Sequence, residues 1–231
     1  MRLLAAVALA LAAALPAQAA SPLAGRTIAI DPGHNGANWS HAAAINRLVD
    51  AGGFRKACDT TGTSTDGGYS EAAYAFDVAI RLAAILRRDG ARVVLTRRTN
   101  DGVGPCIDER AAIGNRAHAD AAVSIHADGG PPGGRGFDVI YRPRAPASFR
   151  LALAIRQAFA AGTGEPYATY VGRDGLDVRT DLGGLNLSTV PKVLIETANM
   201  RNAIDARRLG SSAYREREAA ALARGLERFL S

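Results

Sequence analysis

The sequence predicts an α/β protein: a single open, twisted sheet, mostly parallel or mixed, of about six strands with helices on both faces. Three observations carry this. Short apolar runs rich in Val, Ile and Ala alternate with longer stretches whose apolar residues recur at helical spacing, the pattern of a sheet covered by crossover helices. The chain has 231 residues and no internal repeat, which favours one domain over two. Three apolar runs also finish on a polar side chain: Ala29-Ile30-Asp31-Pro32-Gly33-His34, Ala122-Val123-Ser124-Ile125-His126 and Val193-Leu194-Ile195-Glu196. Ligands of open α/β sheets bind outside the carboxyl ends of the strands, so these three ends point to one site.

Residues 26–31 form the first expected strand. The chain from 33 to about 68 is polar and rich in Gly, Ser, Thr and Asn, a connection long enough to be functional or flexible. One short helical stretch is expected within it, near 42–49. Ser70 is the expected cap of a long helix in which Tyr74, Val78, Leu82 and Ile85 share a face until Gly90. Residues 92–96 read as the second strand, 106–119 as a helix and 121–125 as the third strand. A loop follows Asp128 by its Gly and Pro content, and 136–141 is the fourth strand. Residues 147–161 form a helix that Gly162 is expected to stop. Residues 162–185 read as a surface loop over the sheet end, 192–196 as the last strand and 211–230 as an amphipathic closing helix.

Residues 1–19 read as a cleaved signal peptide. Met1-Arg2 is a short basic start, Leu3 to Leu15 is apolar, and Ala17-Gln18-Ala19 is a small-residue cleavage site. The apolar run is shorter than the ~20 residues of a comfortable membrane span, and no cysteine lies near the cut to take a lipid. The expectation is a protein secreted to the periplasm or cell wall, monomeric and without a membrane span after cleavage; a retained N-terminal anchor is the alternative. The formal charge of +6 is spread over the chain and aromatics are only 6%, so the clustered basic and aromatic face of a nucleic-acid partner is missing. A cationic protein outside the cell can still be drawn to an anionic wall.

Cys58 and Cys106 are the only cysteines, 48 positions apart. An even pair in an exported chain is expected to form a disulfide, here tying two loops together. Loop entropy assigns such a bridge about 4 kcal/mol. The alternative, a cysteine nucleophile paired with His118 or His126, lacks any feature near either thiol that would lower its pKa.

A catalytic zinc site takes three ligands from His, Asp, Glu or Cys and leaves a position open. His34 and His126 supply two. Glu71, in the first turn of the long helix, is the third candidate, since a carboxylate there is favoured by the helix dipole and projects past the helix end. Taken singly, each histidine could be structural and Glu71 an ordinary helix-start charge. A carboxylate at Glu196, on an apolar strand, is costly without a partner or a task. The task would be to take a proton from water acidified by zinc; the alternative is a buried pair with an arginine.

These residues fall in a recognisable order. The chain resembles the zinc-dependent N-acetylmuramoyl-L-alanine amidases of bacterial cell walls, the amidase-3 type, over nearly all of residues 25–231. The resemblance rests on Ile28-Ala29-Ile30-Asp31-Pro32-Gly33-His34, on Glu71 opening a long helix, on Ser124-Ile125-His126-Ala127-Asp128 and on Pro191-Lys192-Val193-Leu194-Ile195-Glu196, with Asn202 beyond it. Thr96-Arg97 and Asp108-Glu109-Arg110 also match family segments. Asp128 stands where the family often has asparagine and Ala198 where a glycine often follows the glutamate. The resemblance implies a compact, single-domain, secreted catalytic domain without wall-binding repeats.

It further implies one zinc ion on His34, Glu71 and His126, Glu196 as the catalytic base, and a peptidoglycan or muropeptide substrate. The bond cut would be the amide between N-acetylmuramic acid and the L-alanine of the stem peptide. Two rivals are a zinc peptidase of wall peptides and a non-catalytic wall-binding protein on the same fold. The second would be expected to lack one of the four residues, and all four are present.

Overall fold

A computed structural model describes residues 22–231 of the chain; the expected signal peptide at 1–19 lies outside the described residues. In chain order the elements are β1 (Thr27–Pro32), a 3-10 turn (Asn38–Ser40), α1 (Ala42–Ile45), β2 (Leu48–Asp50), β3 (Arg55–Ala57), α2 (Glu71–Arg88), β4 (Arg92–Leu95) and α3 (Ile107–Arg116). Then come β5 (Ala121–Asp128), β6 (Asp138–Tyr141), α4 (Pro146–Thr163), β7 (Leu176–Val178), α5 (Gly183–Asn186), β8 (Lys192–Asn199), α6 (Ala203–Leu209) and α7 (Ser212–Leu230). Six strands form one mixed sheet in the order β4-β1-β5-β8-β6-β7. Only the β6–β8 pair is antiparallel within it. This is the α/β architecture expected from the sequence. β2 and β3 form a separate antiparallel pair in the polar connection.

The two faces of the sheet are chemically different, and the alternation of strand side chains makes them so. Ile28, Ile30, Val123, Ile125, Val193 and Ile195 enter one core with Tyr74, Val78 and Leu82 of α2, Phe159 of α4, and Leu222 and Leu226 of α7. Burying each such side chain contributes roughly 1.5–3 kcal/mol, so this face holds the strand register. The alternate positions carry Ala29, Asp31, Ala122, Ser124, His126, Leu194 and Glu196 toward α3 and α5. That second face has only small apolar clusters, Ala29 with Ala119 and Ala122, and Ile140 with Leu185 and Leu194. Polar chemistry is therefore gathered on the thinly covered face.

Several sequence expectations are corrected. β5 runs through His126 to Asp128 and β8 through Glu196 to Asn199, so these two residues are not strand ends. The strands continue because Ala127, Ala198 and Asn199 are still buried, and a register shift between His126 and Asp128 absorbs the irregularity. The cluster still gathers at the carboxyl end of β1, since His34 follows that strand and Glu71 is the first residue of α2, while His126 and Glu196 join it from strands that run on past this point. The helix expected at 42–49 stops at Ile45, and Val49 belongs to β2, paired with Lys56.

Gly162 does not stop α4; Gly164 does, with φ of 67° as a left-handed cap. Gly162 instead lets α7 approach, since a Cβ there would lie 2.7 Å from Ala221 Cβ. The expected loop at 162–185 contains β7, the sixth strand, and the start of α5. A three-residue edge strand is too short to leave a periodic signal.

Candidate metal centre and active site

His34 sits on the turn that leaves β1, with a left-handed backbone at φ of 56°. Such a conformation costs a non-glycine residue on the order of 1–3 kcal/mol and persists only where the surroundings hold it. Here Arg110 holds it: its guanidinium donates to the carbonyls of Pro32 at 2.6 Å and His34 at 2.6 Å. Arg97 clamps the same turn to α2, donating to the carbonyls of Pro32, Gly33 and Ala72. Gly33 is required by close approach, because a Cβ there would lie 2.4 Å from the His126 ring.

The His34 ring is fixed at both nitrogens. Nδ1 lies 3.0 Å from the Thr60 carbonyl and 3.4 Å from Asp59, and Nε2 lies 3.0 Å from Glu71 Oε1. A hydrogen on Nδ1 donated to Thr60 leaves the Nε2 lone pair for an ion. Glu71 opens α2, whose N-cap Ser70 accepts from the Ala73 N–H. Its Oε1 also meets His126 Nδ1 at 2.8 Å, and its Oε2 accepts from the Thr63 N–H at 3.0 Å. One donor atom each from His34, Glu71 and His126 lies within 4.8 Å of the others. Adjacent donors on a tetrahedral zinc stand roughly 3.4 Å apart, so the set fits one ion with little adjustment.

The electrostatics agree with a site built for positive charge. Burial opposes a proton on His34, but Glu71 and Asp59 outweigh it and lift the imidazole to about 10. Burial alone would raise the Glu71 carboxyl; His34 and His126 instead hold it well below the usual range. His41 and His118 stay outside the cluster.

Glu196 stands beside His126 in the β5–β8 register, half-buried, with Oε2 lacking any hydrogen-bond partner. Both residues line one cavity of about 250 Å³ with His34. No arginine pairs with Glu196 among the hydrogen bonds and ion pairs of the described residues. Burial, then the charges of Glu71, Asp138 and Asp128, push its carboxyl well above the ordinary value. The arginine-paired alternative therefore has no support in the geometry.

Beneath the site, Asp31 accepts from Thr96 at 2.8 Å, Arg110 at 2.8 Å, Ser124 at 2.9 Å and Lys192 at 2.9 Å. This buried network ties β1, β5 and β8 together under the cluster. Cys58 and Cys106 are bonded, joining the segment after β3 to the start of α3. The bridge flanks Asp59 on one side and the helix carrying Arg110 on the other, and those two side chains meet at 3.3 Å.

Sequence reasoning assigned no role to Asp59, Lys192 or Asp138. Asp59 and its contact with His34 depend on loop conformation, which no periodicity reports. Asp138 was detectable: it is a fully buried carboxylate in an apolar run, opposite Glu196 in β6, with neither oxygen partnered. The cost argument applied to Glu196 would have singled it out.

An α/β sheet with two histidines and a glutamate lining one open cavity, and a second glutamate bonded to both histidines behind it, is the arrangement of an enzyme. A family model described as Amidase_3, N-acetylmuramoyl-L-alanine amidase, matches residues 28–228. The N-acetylmuramoyl-L-alanine amidase Rv3717 of Mycobacterium tuberculosis is 43% identical over 90% of this chain and 88% of its own length. The crystal structure of the amidase Ami1 from Mycobacterium smegmatis superposes with a TM-score of 0.87 at 43% identity, covering 90% of this chain and 98% of that one. AmiC2 of Nostoc punctiforme, another such amidase, gives a TM-score of 0.70 at 28% identity, covering 90% and 98%. The chain belongs to the Amidase_3 family, and it is an N-acetylmuramoyl-L-alanine amidase, a hydrolase.

Proposed function

We propose that this amidase is zinc-dependent, with His34, Glu71 and His126 as the ligands of one ion and Glu196 as general base. The bond cut is the amide joining the lactyl group of N-acetylmuramic acid to the L-alanine of the stem peptide. The observation that carries the reading is the unpartnered Oε2 of Glu196 in the cavity that His34 and His126 also line, beside the convergent His34–Glu71–His126 donors. Bound there, zinc would supply Lewis acidity that polarises the scissile carbonyl and makes nearby water a better nucleophile at neutral pH.

The chain's own groups do the rest. Thr60 holds His34 in the tautomer that leaves Nε2 free. The Thr63 N–H at Oε2 and the Ala127 N–H at Oε1 fix the Glu71 carboxylate with Oε1 turned toward both histidines. Glu196 accepts the proton of the attacking water and returns it to the departing L-alanine nitrogen, and its acidic surroundings make it basic enough to do so. We also propose that residues 1–19 direct export, which suits both a wall substrate and the Cys58–Cys106 bridge. Among the described residues, no helix is long and apolar enough to cross a membrane.

Mass spectrometry of muropeptides digested by the purified protein tests the reading. Free stem peptides beginning with L-alanine, together with intact glycans, are expected. Cleavage between amino acids would favour the peptidase alternative.

A further inference from the structure

A second groove of about 570 Å³ abuts the metal cluster at Gly62. A Cβ on that glycine would lie 2.8 Å from His34 Cδ2 and 2.9 Å from Glu71 Oε2, so the Gly62 backbone that lines the groove also packs directly against the cluster. The groove is lined by Trp39, Asn35 and the hydroxyl residues Thr61, Thr63, Ser64 and Ser70, with no charged side chain. Hydroxyls and amides both donate and accept, which suits a neutral polyhydroxylated ligand.

Trp39 is the chain's only tryptophan and is 78% exposed, the most open of the large apolar side chains among the described residues. A single exposed aromatic is ordinary on a protein surface. This one is presented on a rigid support. The 3-10 turn carrying it is anchored by the buried Asn38, whose Nδ2 donates to the Thr60 carbonyl at 2.8 Å. That carbonyl is also the partner of His34 Nδ1. One backbone oxygen thus positions both the indole platform and a metal-site histidine. The cavity holding Glu196 is different in kind, with Lys56 and Arg179 beside Ile140, Leu182, Leu185 and Leu194.

We propose that the Trp39 groove is a carbohydrate subsite, in which the indole stacks on the apolar C–H face of a pyranose ring while the hydroxyl residues meet its rim. The inference rests on the amidase reading, and it gives the substrate a direction. The glycan strand lies along Trp39, the scissile amide over the His34–Glu71–His126 cluster, and the stem peptide in the cavity that holds Glu196.

Because Trp39 is the only tryptophan, its fluorescence reads this groove alone. Titrating wild-type protein with the disaccharide N-acetylglucosaminyl-N-acetylmuramic acid, free of peptide, is expected to shift the emission saturably. The dipeptide L-alanyl-D-isoglutamine is expected to leave it unchanged. On a disaccharide-peptide substrate, Trp39→Ala is expected to raise KM about tenfold with kcat and melting temperature unchanged, and Trp39→Phe to recover part of the loss. A shift caused by the dipeptide, or by neither fragment, would overturn the subsite, as would an unchanged KM in Trp39→Ala. Emission that moves with protein concentration alone would assign the face to a second copy of the chain and also overturn it. The disaccharide titration needs no turnover, so its failure is separable from failure of the amidase reading, which the digestion products report.

Discussion

Asp138 and Glu196 face each other across an antiparallel strand pair, and neither oxygen of Asp138 nor Oε2 of Glu196 has a hydrogen-bond partner among the described residues. Burial, with Asp177 and Asp128 nearby, pushes the Asp138 carboxyl up from the ordinary carboxylate range to about 7. A carboxyl whose folded pKa is raised stabilises the fold fully below its unfolded value, and that contribution is lost as pH rises through about 7. Asp138→Asn removes the charge that must otherwise form in the interior. It should therefore be more stable than wild type at pH 8, by roughly 2–4 kcal/mol at most, and indistinguishable near pH 4. Urea denaturation at the two pH values checks this, and a variant equally destabilised at both would show that the carboxyl is structural in its own right. Glu196→Gln should lower kcat by 10²- to 10⁴-fold, about 3–5 kcal/mol, and retain zinc by metal analysis. Loss of zinc in that variant, with retention in Glu71→Ala, would exchange the two glutamates' roles.

At the scale of elements, the site depends on contacts between segments far apart in sequence. The β5–β8 register sets His126 beside Glu196, and α2 delivers Glu71 from its first residue. The Cys58–Cys106 bridge closes the segment that carries Asp59, behind His34, onto the start of α3. The double Cys→Ser variant should melt lower, with a loss of at most about 4 kcal/mol. Its metal affinity should also fall, because the Asp59 and Thr60 contacts to the His34 ring become looser; such outer contacts typically change affinity 10- to 100-fold. Competition with a chromophoric chelator at low temperature, where the variant is folded, measures the second effect separately from the first. Unchanged affinity would mean that Arg110 and the loop hold Asp59 without the bridge.

For the molecule as a whole, stability and chemistry reside on opposite faces of one sheet. The large core lies under α2, α4 and α7, while His126, Glu196 and the supporting Asp31 network lie on the face toward α3 and α5, and only the first residue of α2, Glu71, reaches the cluster from the core side. Removing a metal should therefore abolish hydrolysis without unfolding the chain. Chelation is expected to leave the far-ultraviolet circular dichroism unchanged and to lower the melting temperature, since an ion bound only by the native state adds stability with its concentration. Collapse of the dichroism on chelation would count against this separation.

The sequence by itself determined the α/β class, the long capped helix and the candidate chemistry, because each leaves a local trace. Period-two and helical apolar patterns report burial, Ser70 before Glu71 reports a helix start, and a lone Glu in an apolar strand reports a cost that requires a reason. Convergence of His34, Glu71 and His126 was an inference from where strands and helices begin and end. The tertiary structure decided how they meet. His126 and Glu196 share a sheet face and a register because β5 and β8 run on past them, held by hydrogen bonds and burial that no single strand encodes. The role of Thr60 and Asp59 behind His34, the three-residue β7, and Gly162 as a helix contact instead of a stop were likewise settled by neighbours distant in sequence. A local pattern records what a residue prefers, whereas contacts across the fold determine which residues it meets.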